Sequence, residues 1–302
     1  MRLPVKVLGS SGSVDEDMPR STIGLPEVAI VGRSNVGKST LLNALLYGNQ
    51  QNTTEPMQKK YVRGKTPEGV KLPKGAKAIV SDKPGETRRI TFYQLGSKIL
   101  TNAENIDVNQ NKRLPNSSNK SKNNVKNKMS IVLVDLPGYG FAYASEEKSQ
   151  EWKELMNHYI TNRGKSLKRI LFLIDARHGF KKTDFDFLES IQEFLYKDEQ
   201  NGGTVCKGEN NSKRTKVRRK QLPPIQIVLT KCDLVTQNDL ARRVVQVRQN
   251  LSEALVREPS SLPVMVVSAK AGLGFNNIRG HAAKGGILEL QRDIASLAIR
   301  PN

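Results

Sequence analysis

Cysteine is nearly absent: two residues in 302, Cys206 and Cys232, cannot build a disulfide framework, and no Cys/His cluster has metal-ligand spacing. A reducing compartment fits that usage. Long apolar runs are missing too. None approaches the ~18 residues of a membrane-spanning helix, so no transmembrane segment is expected. Aromatic residues make up 5% of the chain and apolar residues of all kinds 37%, with a mean hydropathy of −0.51. That is polar for one compact domain, so part of the length is expected as unstructured insertion. Acid is the scarcer charge: 29 Asp and Glu face 49 Lys and Arg, a net charge of +20. Such an excess favours a polyanionic partner such as RNA, DNA or an acidic membrane surface, although basic insertions that only solubilise the chain give the same total. What acid there is includes Asp15, Glu16 and Asp17, which argue against a strong organelle transit peptide at the start.

What the chain does have is Val28-Ala-Ile-Val-Gly-Arg-Ser-Asn-Val-Gly-Lys-Ser-Thr-Leu-Leu-Asn43. Val28, Ile30 and Val31 read as a buried strand, and Leu41, Leu42, Leu45 and Leu46 as the apolar stripe of a helix. Between them lies Gly32-x-x-x-x-Gly37-Lys38-Ser39, a P-loop. A phosphate cradle needs backbone N–H groups converging where a strand hands over to a helix N-terminus, and both flanks are present. Gly32, Arg33, Ser34, Asn35, Val36, Gly37 and Thr40 are the expected cradle. Lys38 reaches the β/γ-phosphates and the Ser39 hydroxyl ligates Mg²⁺.

Residues 1–25 are polar and read as a flexible lead-in, with one ordered domain over 26–300. Three Asn/Lys/Gly-rich tracts, about 49–77, 101–128 and 198–222, have no sustained apolar period and are expected as insertions. The last contains Lys213-Arg-Thr-Lys-Val-Arg-Arg-Lys220, either a solvated loop or a direct RNA contact. Between them, strands are expected at 78–80, 90–95, 131–135, 170–175, 225–230 and 264–268. Helices are expected at 147–163, from a Thr183 N-cap to about 197, at 238–257 and at 287–299. Alternating strands and helices make a mostly parallel α/β sheet covered on both faces.

In such a sheet, ligand groups sit at the carboxyl ends of strands. Asp135-Leu136-Pro137-Gly138 has the form DxxG, a carboxylate that can hold Mg²⁺ through water and a glycine N–H that can sense a γ-phosphate. Thr230-Lys231-Cys232-Asp233 matches the guanine-reading loop, in which the carboxylate accepts from guanine N1–H and N2–H₂. Ser268-Ala269-Lys270 follows the last strand. Taken singly, each is as well explained by a strand-end turn with a solvated charge; their order along the chain favours a guanine-nucleotide site.

With Pro84-Gly85-Glu86-Thr87, Asp-Leu-Pro-Gly-Tyr-Gly140, Trp152 and Ile174-Asp-Ala-Arg-His-Gly179, this set resembles the EngB family of GTPases. The resemblance covers residues 24 to about 279 outside the insertions. It implies a Ras-like P-loop domain with a six-stranded, mostly parallel sheet and one antiparallel strand. It also implies Mg²⁺-dependent hydrolysis of GTP to GDP, and a partner in ribosomal RNA or a large-subunit precursor. Thr87 falls on the switch threonine that joins Ser39 and Asp135 at Mg²⁺; Gly85, Glu86, Arg88 and Arg89 flank it. Lys38, Thr87 and Gly138 are the implied catalytic set. Asn35 matches an asparagine that in related GTPases helps to hold K⁺, or else serves as a turn residue. Tyr139 stands where Ras-type enzymes place a water-orienting glutamine. His178 is a loop brace in preference to an acid/base. A monomer is expected, in a mitochondrion or plastid if the gene is eukaryotic and in the cytoplasm otherwise. Two other readings remain: a non-catalytic RNA-binding factor with nucleotide as a conformational ligand, and an ATP-dependent kinase or ATPase.

Overall fold

The computed structural model describes residues 4–16, 18–19, 24–47, 89–96, 130–140, 146–200, 222–255, 262–269 and 286–298. In chain order these form β1 (Val5–Ser11), β2 (Glu27–Gly32), α1 (Lys38–Tyr47), β3 (Ile90–Gly96), β4 (Ser130–Asp135), α2 (Glu146–Asn162), β5 (Leu167–Asp175), α3 (Lys182–Gln200), β6 (Ile225–Thr230), α4 (Gln237–Ala254), β7 (Met265–Val266) and α5 (Ile287–Ser296). The insertion centres and the strand expected at 78–80 lie outside the described residues.

One sheet has the order β1-β3-β4-β2-β5-β6-β7. The central strand β2 runs parallel to both neighbours, β4 and β5, while β3 is antiparallel to β4 and β1. Every residue of β2, β4 and β6 is buried, as parallel strands covered on both faces must be. On one face α2, α3 and α4 contribute Leu155, Met156, Tyr159, Phe187, Leu188, Ile191, Leu240 and Val247. The other face takes Leu41, Leu42, Leu45 and Leu46 of α1 with Ile287, Leu290 and Ile294 of α5. Trp152 of α2 is only half-buried.

The structure departs from two expectations. The sheet has seven strands and not six, because the segment expected as a flexible lead-in supplies β1. Its own apolar content is slight; the strand forms because β3 offers an edge to pair with, and because Val5 and Val7 reach one core and Leu8 the other. The second concerns α3, which begins before Thr183. Asp184 does the capping instead, its Oδ2 accepting from the Lys181 N–H at 2.7 Å.

Candidate functional site

The chain turns from β2 into α1 through two left-handed residues, Asn35 (φ 63°) and Gly37 (φ 104°). A Cβ on Gly32 would come within 2.8 Å of Val36 Cγ1 and 3.0 Å of Leu173 Cβ, so the strand end admits only glycine. The first turn bond of the helix runs from Leu41 N–H to Gly37 O at 2.9 Å. The N–H groups of Lys38, Ser39 and Thr40 therefore have no intrahelical acceptor and face the turn, the arrangement that binds a phosphate.

Asp135 ends β4, the neighbour of β2. Its Oδ1 lies 3.6 Å from Lys38 Nζ, with both side chains buried, and it accepts no hydrogen bond. Burial pushes the Asp135 carboxyl up, and the Lys38 charge pulls it back. A buried carboxylate oxygen without a donor, 3.6 Å from Lys38 at the helix start, suits a hydrated cation. Among the described residues no group of three or more His, Cys, Asp or Glu could hold a metal. An ion here would thus take most ligands from phosphate and water, as Mg²⁺ does in nucleotide sites.

The P-loop and the loop that follows β4 are joined. Ser34 N–H donates to Tyr139 O at 3.1 Å, and a Cβ on Gly138 would meet Ser34 atoms at 3.0 to 3.2 Å. Leu136 and Pro137 are buried, so their side chains pack rather than bind. The Arg33 side chain also points away from the cradle, donating to Gly179 O at 3.1 Å.

From the other side, β6 brings the 230–233 loop onto the P-loop. Thr230 Oγ1 donates to Val36 O at 2.6 Å, and Lys231, itself left-handed at φ 57°, donates from Nζ to Asn35 O at 2.6 Å. Lys231 Nζ also pairs with Asp175 Oδ2 at 3.0 Å. Burial alone would raise the Asp175 carboxyl, but hydrogen bonds from Arg177 and Lys231 outweigh it and hold it well below the usual range. Asp233 is exposed, and its Oδ1 accepts from Ser268 Oγ at 2.6 Å. Cys232 is buried beneath the loop, its thiol pushed up to about 12 by burial. The Ala269 side chain packs against the α1/α5 core.

Other expected residues stand elsewhere. Gly85, Glu86, Thr87, Arg88 and Lys270 lie outside the described residues. Arg89, at the start of β3, pairs with Glu16 at 2.6 Å and reaches Ser10, two strands away from the P-loop strand. His178 is exposed, and its N–H closes the turn by donating to Asp175 O at 3.0 Å. Sequence reading passed over the support of Lys231 by Asp175, and a cluster of Arg33, Tyr139 and Asp184. The only signal for Asp184 was its place three residues after Lys181, the spacing of a capping box.

The profile of the 50S ribosome-binding GTPase family matches residues 27–202, more than half of the chain. A "Probable GTP-binding protein EngB" of Anaplasma phagocytophilum is 30% identical over 84% of this chain and 86% of its own. The chain is an EngB-family GTPase. A second EngB, from Kosmotoga olearia, is 29% identical over 83% of this chain and 84% of its own. Among solved structures, a probable EngB aligns with a TM-score of 0.42 at 18% identity over 90% of this chain and 98% of that one, a likeness too loose to bear on function. GTP binding and hydrolysis are the chemistry of this EngB-family chain. No described helix is long and apolar enough to cross a membrane.

Proposed function

We propose that the chain binds and hydrolyses GTP at the junction of the β2, β4, β6 and β7 loops and acts as a switch in assembly of a large ribosomal subunit. The observation that carries the reading is the contact of Lys231 Nζ with Asn35 O, which makes the base-reading loop and the phosphate cradle one site. The N–H groups at the start of α1 and Lys38 hold the phosphates. Ser39 and Asp135, with Thr87 from the switch segment, hold Mg²⁺, which when bound neutralises charge on the β- and γ-phosphate oxygens. Gly138 offers its N–H to the γ-phosphate. Asp233, oriented by Ser268, accepts from the guanine edge; adenine presents no such donor pair.

Tyr139 supplies no water-orienting group, because its hydroxyl is engaged with Asp184 inside the protein. Asn35 is exposed at the rim of the cradle and is the candidate to help hold K⁺, which when bound stabilises negative charge at the β/γ-bridging oxygen. The net charge of +20 supports ribosomal RNA or a large-subunit precursor as the partner. Asn/Lys-rich insertions favour an organellar ribosome. Single-turnover hydrolysis by the purified chain, with ATP as competitor, tests the reading. Hydrolysis of GTP undisturbed by excess ATP supports it; nucleotide binding without turnover favours a non-catalytic RNA-binding factor, and displacement by ATP an ATPase or kinase.

A further inference from the structure

Behind the P-loop and the loop that follows β4 lies a buried polar cluster whose carboxylate has been given no role in hydrolysis. Asp184 is fully buried in the first turn of α3. Its Oδ1 accepts from Tyr139 Oη at 2.7 Å and pairs with Arg33 Nε at 3.1 Å, while Oδ2 accepts from Lys181 N–H at 2.7 Å. The Tyr139 ring is stacked on Phe187 of the same helix, with centroids 4.5 Å apart and planes 6° from parallel. Arg33 is the second residue of the P-loop motif, and Tyr139 directly follows the glycine of DxxG. The two are also bridged through the backbone. One carboxylate on α3 thus ties down the side chains of both phosphate loops.

Taking a carboxylate out of water is costly unless its oxygens are matched by charge and donors, and these three partners supply the match. A cap for α3 needs only the Lys181 N–H. Tyr139 and Arg33 add nothing to capping, yet they tie Asp184 to the residue that follows Gly138, a glycine at which an added Cβ would meet Ser34 atoms at 3.0 to 3.2 Å.

We propose that Asp184 is a positioning residue for GTP hydrolysis: by binding Tyr139 and Arg33 in one buried cluster, it holds Gly138 against the P-loop in the place from which its amide meets the γ-phosphate. The inference rests on the role given to Gly138 above. Its physical basis is preorganisation, since a donor fixed before the substrate arrives loses nothing to reorganisation as charge develops. GDP has no γ-phosphate, so its affinity should not depend on the cluster.

Two substitutions in the full chain test this. Tyr139→Phe keeps the ring on Phe187 and removes only the hydroxyl donor; Asp184→Asn keeps the shape and removes the charge. For each, the affinities for GDP and for the imido analogue of GTP are measured, together with the single-turnover rate and the thermal midpoint. In Tyr139→Phe, GDP affinity should stay within about twofold while analogue affinity and rate fall about tenfold, the effect of losing one hydrogen bond to a charged group when it is felt only with the γ-phosphate bound. Asp184→Asn should change the same two quantities further. Equal changes for GDP and the analogue would mark the cluster as structural only, and unchanged rates and affinities in Tyr139→Phe would equally overturn the proposal, even if Asp184→Asn fails to fold. If the unsubstituted chain binds no guanine nucleotide, the site assignment itself fails, a result distinct from either.

Discussion

Lys231 spans two loops: its Nζ donates to Asn35 O of the P-loop and pairs with Asp175 at the end of β5. Asp175 is buried, whereas Lys231 is 28% and Arg177 39% exposed at the side chain, so water partly screens both pairs. Asp175→Asn should therefore cost only about 1 kcal/mol of stability, while loosening the base loop. GDP and GTP affinities should drop together, about tenfold each, since both carry the base. Parallel titrations of the two nucleotides check this; a loss confined to GTP would contradict it.

The same carboxylate gives a pH dependence. Its folded value is depressed below the unfolded value near 3.9, so its contribution to stability is present above pH ~4 and is lost as pH falls further. The stability difference between the unsubstituted chain and Asp175→Asn should be flat from about pH 8 to 5 and shrink below about pH 4. Denaturant melts at several pH values give the curve.

Cys232 is buried among β6 and β7 residues, and burial lifts its thiol to about 12. In a Cys206→Ser background the native protein should resist thiol reagents at pH 8, because the reacting thiolate is scarce and inaccessible, and should react fully on unfolding. Fast native labelling would place Cys232 at the surface.

Most of the sheet could be read from β2, β4, β5 and β6, whose apolar runs are self-evident, and from the Gly and Asp residues at their ends. Pairing with a distant partner was not readable. β1 exists because β3 has an open edge, and Val5 to Ser11 show no pattern strong enough to announce it. The Asp184 cluster is a similar case. Its members are 45 residues or more apart in the chain, and a buried aspartate in a helix start looks like a cap until Tyr139 and Arg33 are seen to converge on it.

The left-handed backbone of Asn35 explains an asparagine at this turn without any ion, so the K⁺ role needs its own test. Hydrolysis should be faster in K⁺ than in Na⁺ at equal ionic strength, and Asn35→Ala should remove the difference while leaving GTP binding largely intact. Equal rates in the two salts, with and without a bound partner, would dismiss the ion.

RNA binding should weaken with salt. Each phosphate contact adds about 0.7 to 0.9 to the slope of log K against log salt, so deleting residues 213–220, with six basic side chains, should flatten the slope by several units if the run touches RNA. An unchanged slope would make that run a bystander.

If Asp233 and the P-loop belong to one guanine-nucleotide site, a change at Asp233 should exchange the preferred base. The Asp233 carboxylate can only accept, and it meets two guanine donors; an asparagine there sets an NH₂ against guanine's own NH₂ but can donate to the O2 of xanthine. Nucleotide titration of Asp233→Asn should show GTP affinity lost and XTP affinity gained. Unchanged GTP affinity in that variant would place Asp233 outside the nucleotide site.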